Sequence, residues 1–231
     1  MQQSKKIMLG LDSSASPLLV AACKADKTAY CRRSGIKQER LLFPALHRTL
    51  DKVGGTLQEV GRIFIVRGPG RFTGIRIALT FASMLKYLNK ADVYGATTFE
   101  ILHEQVQHSR AFQTWKNAHP AGAVGVVLHA FRQEYFLQIF DGKNAAAMWL
   151  SYEELNARLA EYPAPLFLAG TGADKAPLES FLKGSYTFAP QADCVVRPQT
   201  LLALCAQGTR SEQALEPLYL KPARFEQVQP Q

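Results

Sequence analysis

The stretch from Arg67 to Phe81 reads RGPGRFTGIRIALTF and lies between an apolar run ending at Val66 and a helical pattern continuing to Asn89. Gly68, Gly70 and Gly74 bracket Pro69, which lets the backbone turn sharply and gather bare N–H groups ahead of a helix. The stretch predicts a strand, a tight loop and a helix. Arg67, Arg71 and Arg76 are spaced around the loop, and with Thr73 they make it a candidate contact for an anion or an acidic partner. A strand-to-helix turn without any ligand fits the glycines as well.

Upstream, Ile7 to Asp12, Leu18 to Cys23 and Thr28 to Arg33 read as three short strands joined by the turns DSSASP and KADK, an antiparallel meander. Leu41, Leu42, Ala45, Leu46, Leu50 and Val53 recur at helical spacing, with Pro44 near the start of that helix. Downstream come a strand at Asp92 to Gly95 and a helix from Thr98 to about Phe112. The polar stretch Ser109 to Gly122 carries Pro120 and no periodicity, so the expected division is an N-terminal lobe 1–112 and a C-terminal lobe 113–231. The same plan then recurs: strands at Ala123 to His129, Glu134 to Phe140 and Ala145 to Leu150, a helix at Tyr152 to Ala160, a strand at Leu166 to Ala169 and a helix at Asp174 to Leu182. A last helix, Gln199 to Gly208, is a candidate to return to the first lobe, and Leu218 to Lys221 reads as a strand or strap. These elements predict an α/β protein with two lobes.

The helix after the glycine loop is apolar over too wide an arc for one packing surface. At ~100° per residue, Ile77, Phe81, Met84 and Leu88 form one stripe, and Ile75, Leu79 and Ala82 lie nearly opposite, with Ala78 and Leu85 between them. The bulkier stripe is expected on the sheet. The stripe of smaller residues is expected against helices, either Leu41 to Val53 of the same chain or a partner's counterpart across a dimer seam, and burial of both stripes within one chain fits the pattern as well. Ile75, Ala78, Leu79 and Ala82, with Leu42 and Leu46 of the preceding helix, are the candidate interface residues.

GPGRFTGIRIAL resembles the GPGSFTG-x-RIG segment of the TsaB (YeaZ) family, scaffold subunits of the bacterial system that makes threonylcarbamoyladenosine in tRNA and relatives of the TsaD/glycoprotease family. LDSSAS at Leu11 to Ser16, ATTFEIL at Ala96 to Leu102, VVLHAFRQEYF at Val126 to Phe136 and EPLYLK at Glu216 to Lys221 resemble it in order and spacing. The resemblance implies an actin-like or Hsp70-like ATPase fold of tandem β-β-β-α-β-α units. It implies a TsaD-like catalytic subunit as partner, a TsaE-like ATPase as third member, tRNA bound through the complex, subunit contacts through the first two helices, and a homodimer when alone. Gln38 stands where the family often has His, Arg71 where it usually has Ser, and His129 with Phe131 where it usually reads Asp-Ala-Arg.

With 231 residues, 47% of them hydrophobic, the chain can bury a sizeable core, and neither a secretory signal nor a run of about 18 apolar residues occurs. A cytoplasmic protein without a membrane segment is expected. Cys23, Cys31, Cys194 and Cys205 form no CxxC pair, which suits reduced, buried thiols. The net charge of +8 is uneven: residues 1–96 hold 16 Lys and Arg against 6 Asp and Glu. That half suits an acidic partner or nucleic acid, and equally a well-solvated surface.

Asp12, Ser13 and Ser14 lie where proteins of the resembled superfamily approach nucleotide phosphates, so they are the candidate, vestigial nucleotide site; no GxxxxGK[ST] loop accompanies them. No cofactor is expected. HEQVQH at His103 to His108 places its histidines five apart, ~140° around a helix, where both cannot ligate one metal. His47, His119 and His129 are isolated. The expected role is a scaffold rather than an enzyme. An autonomous ATP-dependent kinase or protease-like enzyme, and a basic RNA-binding module, are the rival classes, separable by turnover or by salt-sensitive RNA binding of the isolated chain.

Overall fold

Ile7, Leu9 and Leu11 alternate along the first strand with their side chains fully buried, and the first sheet forms around them. The computed structural model describes residues 6–35, 37–142, 146–208 and 213–221. The chain divides into two units, residues 1–101 with 196–218, and residues 102–195 with 219–231.

In the first unit, β1 (Ile7–Asp12), β2 (Leu18–Lys24) and β3 (Lys27–Arg33) make the antiparallel meander. Helix α1 (Gln38–Lys52) leads to β4 (Val60–Val66), which pairs parallel with β1, and α2 (Phe72–Asn89) leads to β5 (Asp92–Ala96), parallel with β4. The order is β3-β2-β1-β4-β5. Next come α3 (Thr98–Gln107) and α4 (Arg110–Ala118). The second unit repeats the plan with β6 (Ala123–Phe131), β7 (Glu134–Phe140), β8 (Met148–Ser151), α5 (Tyr152–Ala160), β9 (Leu166–Thr171) and β10 (Thr187–Phe188), ordered β10-β9-β6-β7-β8. In each sheet the fourth strand lies parallel to the first and the fifth parallel to the fourth. Two identical strand orders in tandem give the mixed α/β architecture expected of an actin-like fold.

The central strands read as near-continuous apolar runs because both faces are covered. Residues Leu9, Ile63 and Ile65 belong to the core shared with α1 and α2. Gly10, on the opposite face by strand alternation, meets Leu201 of α6 (Pro198–Gln207), which packs on β1, β2 and β4. The last helix therefore belongs to the first unit.

Several elements differ from the sequence expectation. The helix expected from Thr98 to Phe112 is two, because the Ser109 side-chain oxygen accepts a hydrogen bond from Phe112 N and starts α4 afresh. The division falls within α3 rather than after Phe112. Thr98 donates from its N to Gly68 O at 2.7 Å and belongs to the first unit, whereas His103 stacks on Phe140 and Gln105 Nε2 donates to Val195 O in the second. No helix spans Asp174 to Leu182: Pro177 separates two single turns of 3-10 helix, Ala173–Lys175 and Leu178–Ser180, and Asp174 has φ 50°. The expected strand start at Ala145 lies outside the described residues.

The orientation of α2 is the reverse of that expected. Ile75, Ala78 and Ala82 have no exposed surface, Leu79 and Leu85 are buried with them, and this side packs on β4 and β5. Ile77 and Met84 are half-buried and Leu88 is exposed on the other side. The branched side chains of Ile63 and Ile65 already fill the sheet surface, so a helix approaches closely only through its smaller residues.

Candidate functional site

The bulky side of α2 and the adjoining side of α1 border an open groove of about 440 Å³, lined among others by Leu42, Phe43, Phe72, Ile77, Phe81 and Met84. Phe43 and Phe72 are 48% and 55% exposed, an unusual position for two large rings on neighbouring helices. Polar atoms at the rim come from Glu39, Thr73, Arg76 and Thr80. The Arg76 guanidinium lies over the Phe72 ring, 5.3 Å from its centroid, which holds the ring without burying it. Of the expected interface residues, Leu42 borders this groove. Leu46, Ile75, Ala78, Leu79 and Ala82 are corrected to core, because the fold itself already covers them.

The glycine loop divides its residues between two tasks. Gly70 and Gly74 serve close approach of backbone: a Cβ on Gly70 would stand 2.3 Å from Ser14 O, and one on Gly74 would stand 1.8 Å from Ser13 O. Gly68, at φ 109°, lies against the Leu218 carbonyl, and Leu218 N donates to Arg67 O. The glycines thus face protein. Arg71, Thr73 and Arg76 are exposed, the last two on the groove, and Arg67 is half-buried.

The β1–β2 loop closes against this backbone. Ser13 Oγ donates to Gly74 O at 2.7 Å, Arg71 N donates to Ser14 O at 2.7 Å, and Gln38 Nε2 donates to Ala15 O at 2.6 Å. Asp12 Oδ1 accepts from both Ser14 N and Ser14 Oγ. Burial pushes the Asp12 carboxyl above the usual carboxylate range, against the lowering effect of its bonds to Ser14 and of the Arg32 charge. The three candidate nucleotide-site residues are therefore brought together, and their polar groups are engaged with one another and with α2.

His103 Nε2 lies 2.9 Å from Gln107 Nε2, while His108 Nδ1 is bonded to Glu104 O, so the two histidines of HEQVQH have separate neighbours. Among the described residues no group of three or more His, Cys, Asp or Glu is placed to hold a metal ion, and no helix is long and apolar enough to cross a membrane. In the second unit, His129 Nε2 is bonded to Arg132 O, and the half-exposed Phe131 ring is flanked by the cations of Arg132 and Lys221. Lys221 is also paired with Glu134.

Sequence reasoning missed Phe43, Phe72 and the bonding role of Gln38. Phe43 stands beside the apolar stripe of α1 rather than on it, which was the available signal.

The family model described as "TsaD: tRNA N6-adenosine threonylcarbamoyltransferase" matches residues 36–168, more than half of the chain. The chain is 25% identical over 183 residues to the tRNA threonylcarbamoyladenosine biosynthesis protein TsaB of Buchnera aphidicola subsp. Schizaphis graminum, covering 77% of this chain and 84% of that one. It is 24% identical over 225 residues to TsaB of Bacillus subtilis strain 168, covering 95% and 96%. The solved structure of YeaZ from Pseudomonas aeruginosa superimposes with a TM-score of 0.64 at 25% identity, over 93% of this chain and 100% of that one.

Proposed function

The chain belongs to the family described as TsaD, tRNA N6-adenosine threonylcarbamoyltransferase, and from its likeness to the TsaB proteins we propose that it is a non-catalytic, TsaB-like scaffold subunit. Its complex installs the threonylcarbamoyl group on the tRNA adenosine next to the anticodon. The observation that carries this reading is the apolar groove between α1 and α2, whose exposed Phe43 and Phe72 need a covering surface. The occupant is a TsaD-like catalytic subunit; in its absence a second copy of the chain takes the groove and makes a homodimer. A TsaE-like ATPase joins as third member. The names of the TsaB relatives support the pathway.

The engaged side chains of Asp12, Ser13 and Ser14 support a scaffold rather than a nucleotide-turnover role, since a phosphate would have to displace Gly74 O and the Asp12 carboxyl from their hydroxyl donors. The tRNA is held through the complex, with Arg71 and Arg76 contributing charge from the basic half, in the cytoplasm. Purified chain mixed with a TsaD-like and a TsaE-like subunit should modify tRNA, and the chain alone should neither modify tRNA nor hydrolyse ATP. Activity of the isolated chain, or unchanged assembly by Phe43→Arg, overturns the proposal.

A further inference from the structure

We infer that Ser13, Ser14 and Gln38 are positioning residues for the groove, a latch that sets the first turns of α1 and α2 relative to one another. The inference rests on the docking role proposed above. Gln38 is the first residue of α1 and Gly74 the third of α2, and both are buried against the same β1–β2 loop. The loop grips α1 through Gln38 Nε2 on Ala15 O, and grips α2 twice, through Ser13 Oγ on Gly74 O and Ser14 O on Arg71 N. Gln38 Oε1 lies 2.7 Å from the place a Gly74 Cβ would take, so the amide also touches the start of α2.

Neither helix carries a side-chain hydrogen bond at its own N-cap, Lys37 or Arg71. Uncapped helix starts fray, because their first N–H groups lack intrahelical partners. Apart from Arg71 N, the latch meets none of those N–H groups; it restrains the two helix starts through the Gln38 amide and the Gly74 carbonyl. It does so at the end of each helix that carries groove residues: Glu39, Leu42 and Phe43 follow Gln38, while Phe72, Thr73, Arg76 and Ile77 surround Gly74. Asp12 holds Ser14 through two bonds and so aims its carbonyl at Arg71 N. A loop placed where phosphates are met in related folds serves here to fix the spacing of two docking helices.

The test uses the full chain carrying Ser13→Ala, Gln38→Met or Gln38→His, with Leu155→Ala in the second unit as a control that lowers stability away from the latch. Two quantities are read: affinity for the TsaD-like subunit by titration calorimetry, and amide hydrogen exchange over residues 38–43 and 72–77. Ser13→Ala and Gln38→Met should each weaken binding about tenfold or more and speed exchange in both segments about tenfold. Gln38→His keeps a ring N–H for Ala15 O and should restore both, and Leu155→Ala should move neither. Unchanged exchange in the two segments, or weakening equal to that of Leu155→Ala, overturns the latch. If the wild-type chain fails to bind the subunit, the docking role falls, and the exchange measurement alone decides for or against the latch.

Discussion

Phe43 and Phe81 meet edge to face, their centroids 6.2 Å apart and their planes at 86°, with one ring half in solvent and the other 4% exposed. The pair joins a surface residue to a core residue across the groove. Phe81→Ala should cost the fold about 3–5 kcal/mol, the range for emptying a buried aromatic site. Phe43→Ala should cost under about 1 kcal/mol, since surface substitutions seldom cost more, yet weaken binding of the TsaD-like subunit. Denaturant melts with titration of both variants check this; equal stability losses would contradict the division of labour.

Ala82 has no exposed surface and faces β4 and β5 through α2. Ala82→Arg would place an unpaired charge and a long side chain in a filled core, and should destabilise by about 3–5 kcal/mol. Circular dichroism melts decide it: a variant that melts like the wild type would return this side of α2 to the surface.

As far as β9 the order of strands and helices was legible from period-2 and helical spacing, except that α3 and α4 read as one helix; the helix expected at Asp174 to Leu182 is absent and the two-residue β10 carries no periodic signal. The glycine loop marked the start of α2. The side of α2 that meets the sheet was not legible. Periodicity gives the angle between Ile75 and Phe81 but not which of them faces the sheet, and that depends on how much volume Ile63 and Ile65 leave free. The candidate site was half legible for a related reason. Asp12 to Ser14 and Gly68 to Gly74 stood out by composition, but that they bond to one another is a long-range pairing no local pattern encodes. Gln38 reads as one more polar residue at a helix start until Ala15 O is placed beside it.

Gly74 allows the Ser13 carbonyl to approach where a side chain would stand, at 1.8 Å from an added Cβ. The obstacle is backbone, so it cannot rotate away. Gly74→Ala should cost about 3 kcal/mol or more, the upper end of overpacking penalties. A thermal melt shifted by less than Ser13→Ala shifts it would contradict this account.

Burial raises the Asp12 carboxyl above its ordinary range, so the folded state favours the protonated form. The stability this contributes is fully present below the unfolded carboxyl range, near pH ~4, and is lost as pH rises through the raised value. Asp12→Asn does not titrate. The melting temperature of the variant minus that of the wild type should therefore grow from pH 4 to pH 8. A difference constant over that interval would show that Asp12 keeps its charge in the fold.

Helix α6 seats Leu201 on Gly10 and covers a face of β1, β2 and β4, although it is encoded long after them. Residues 102–195, which belong to the other unit, are translated in between. At ~5–20 residues per second, that interval is roughly five to twenty seconds. During synthesis the earliest sheet thus waits with one apolar face bare, and the growing chain offers holdase chaperones a binding surface that the finished protein no longer has.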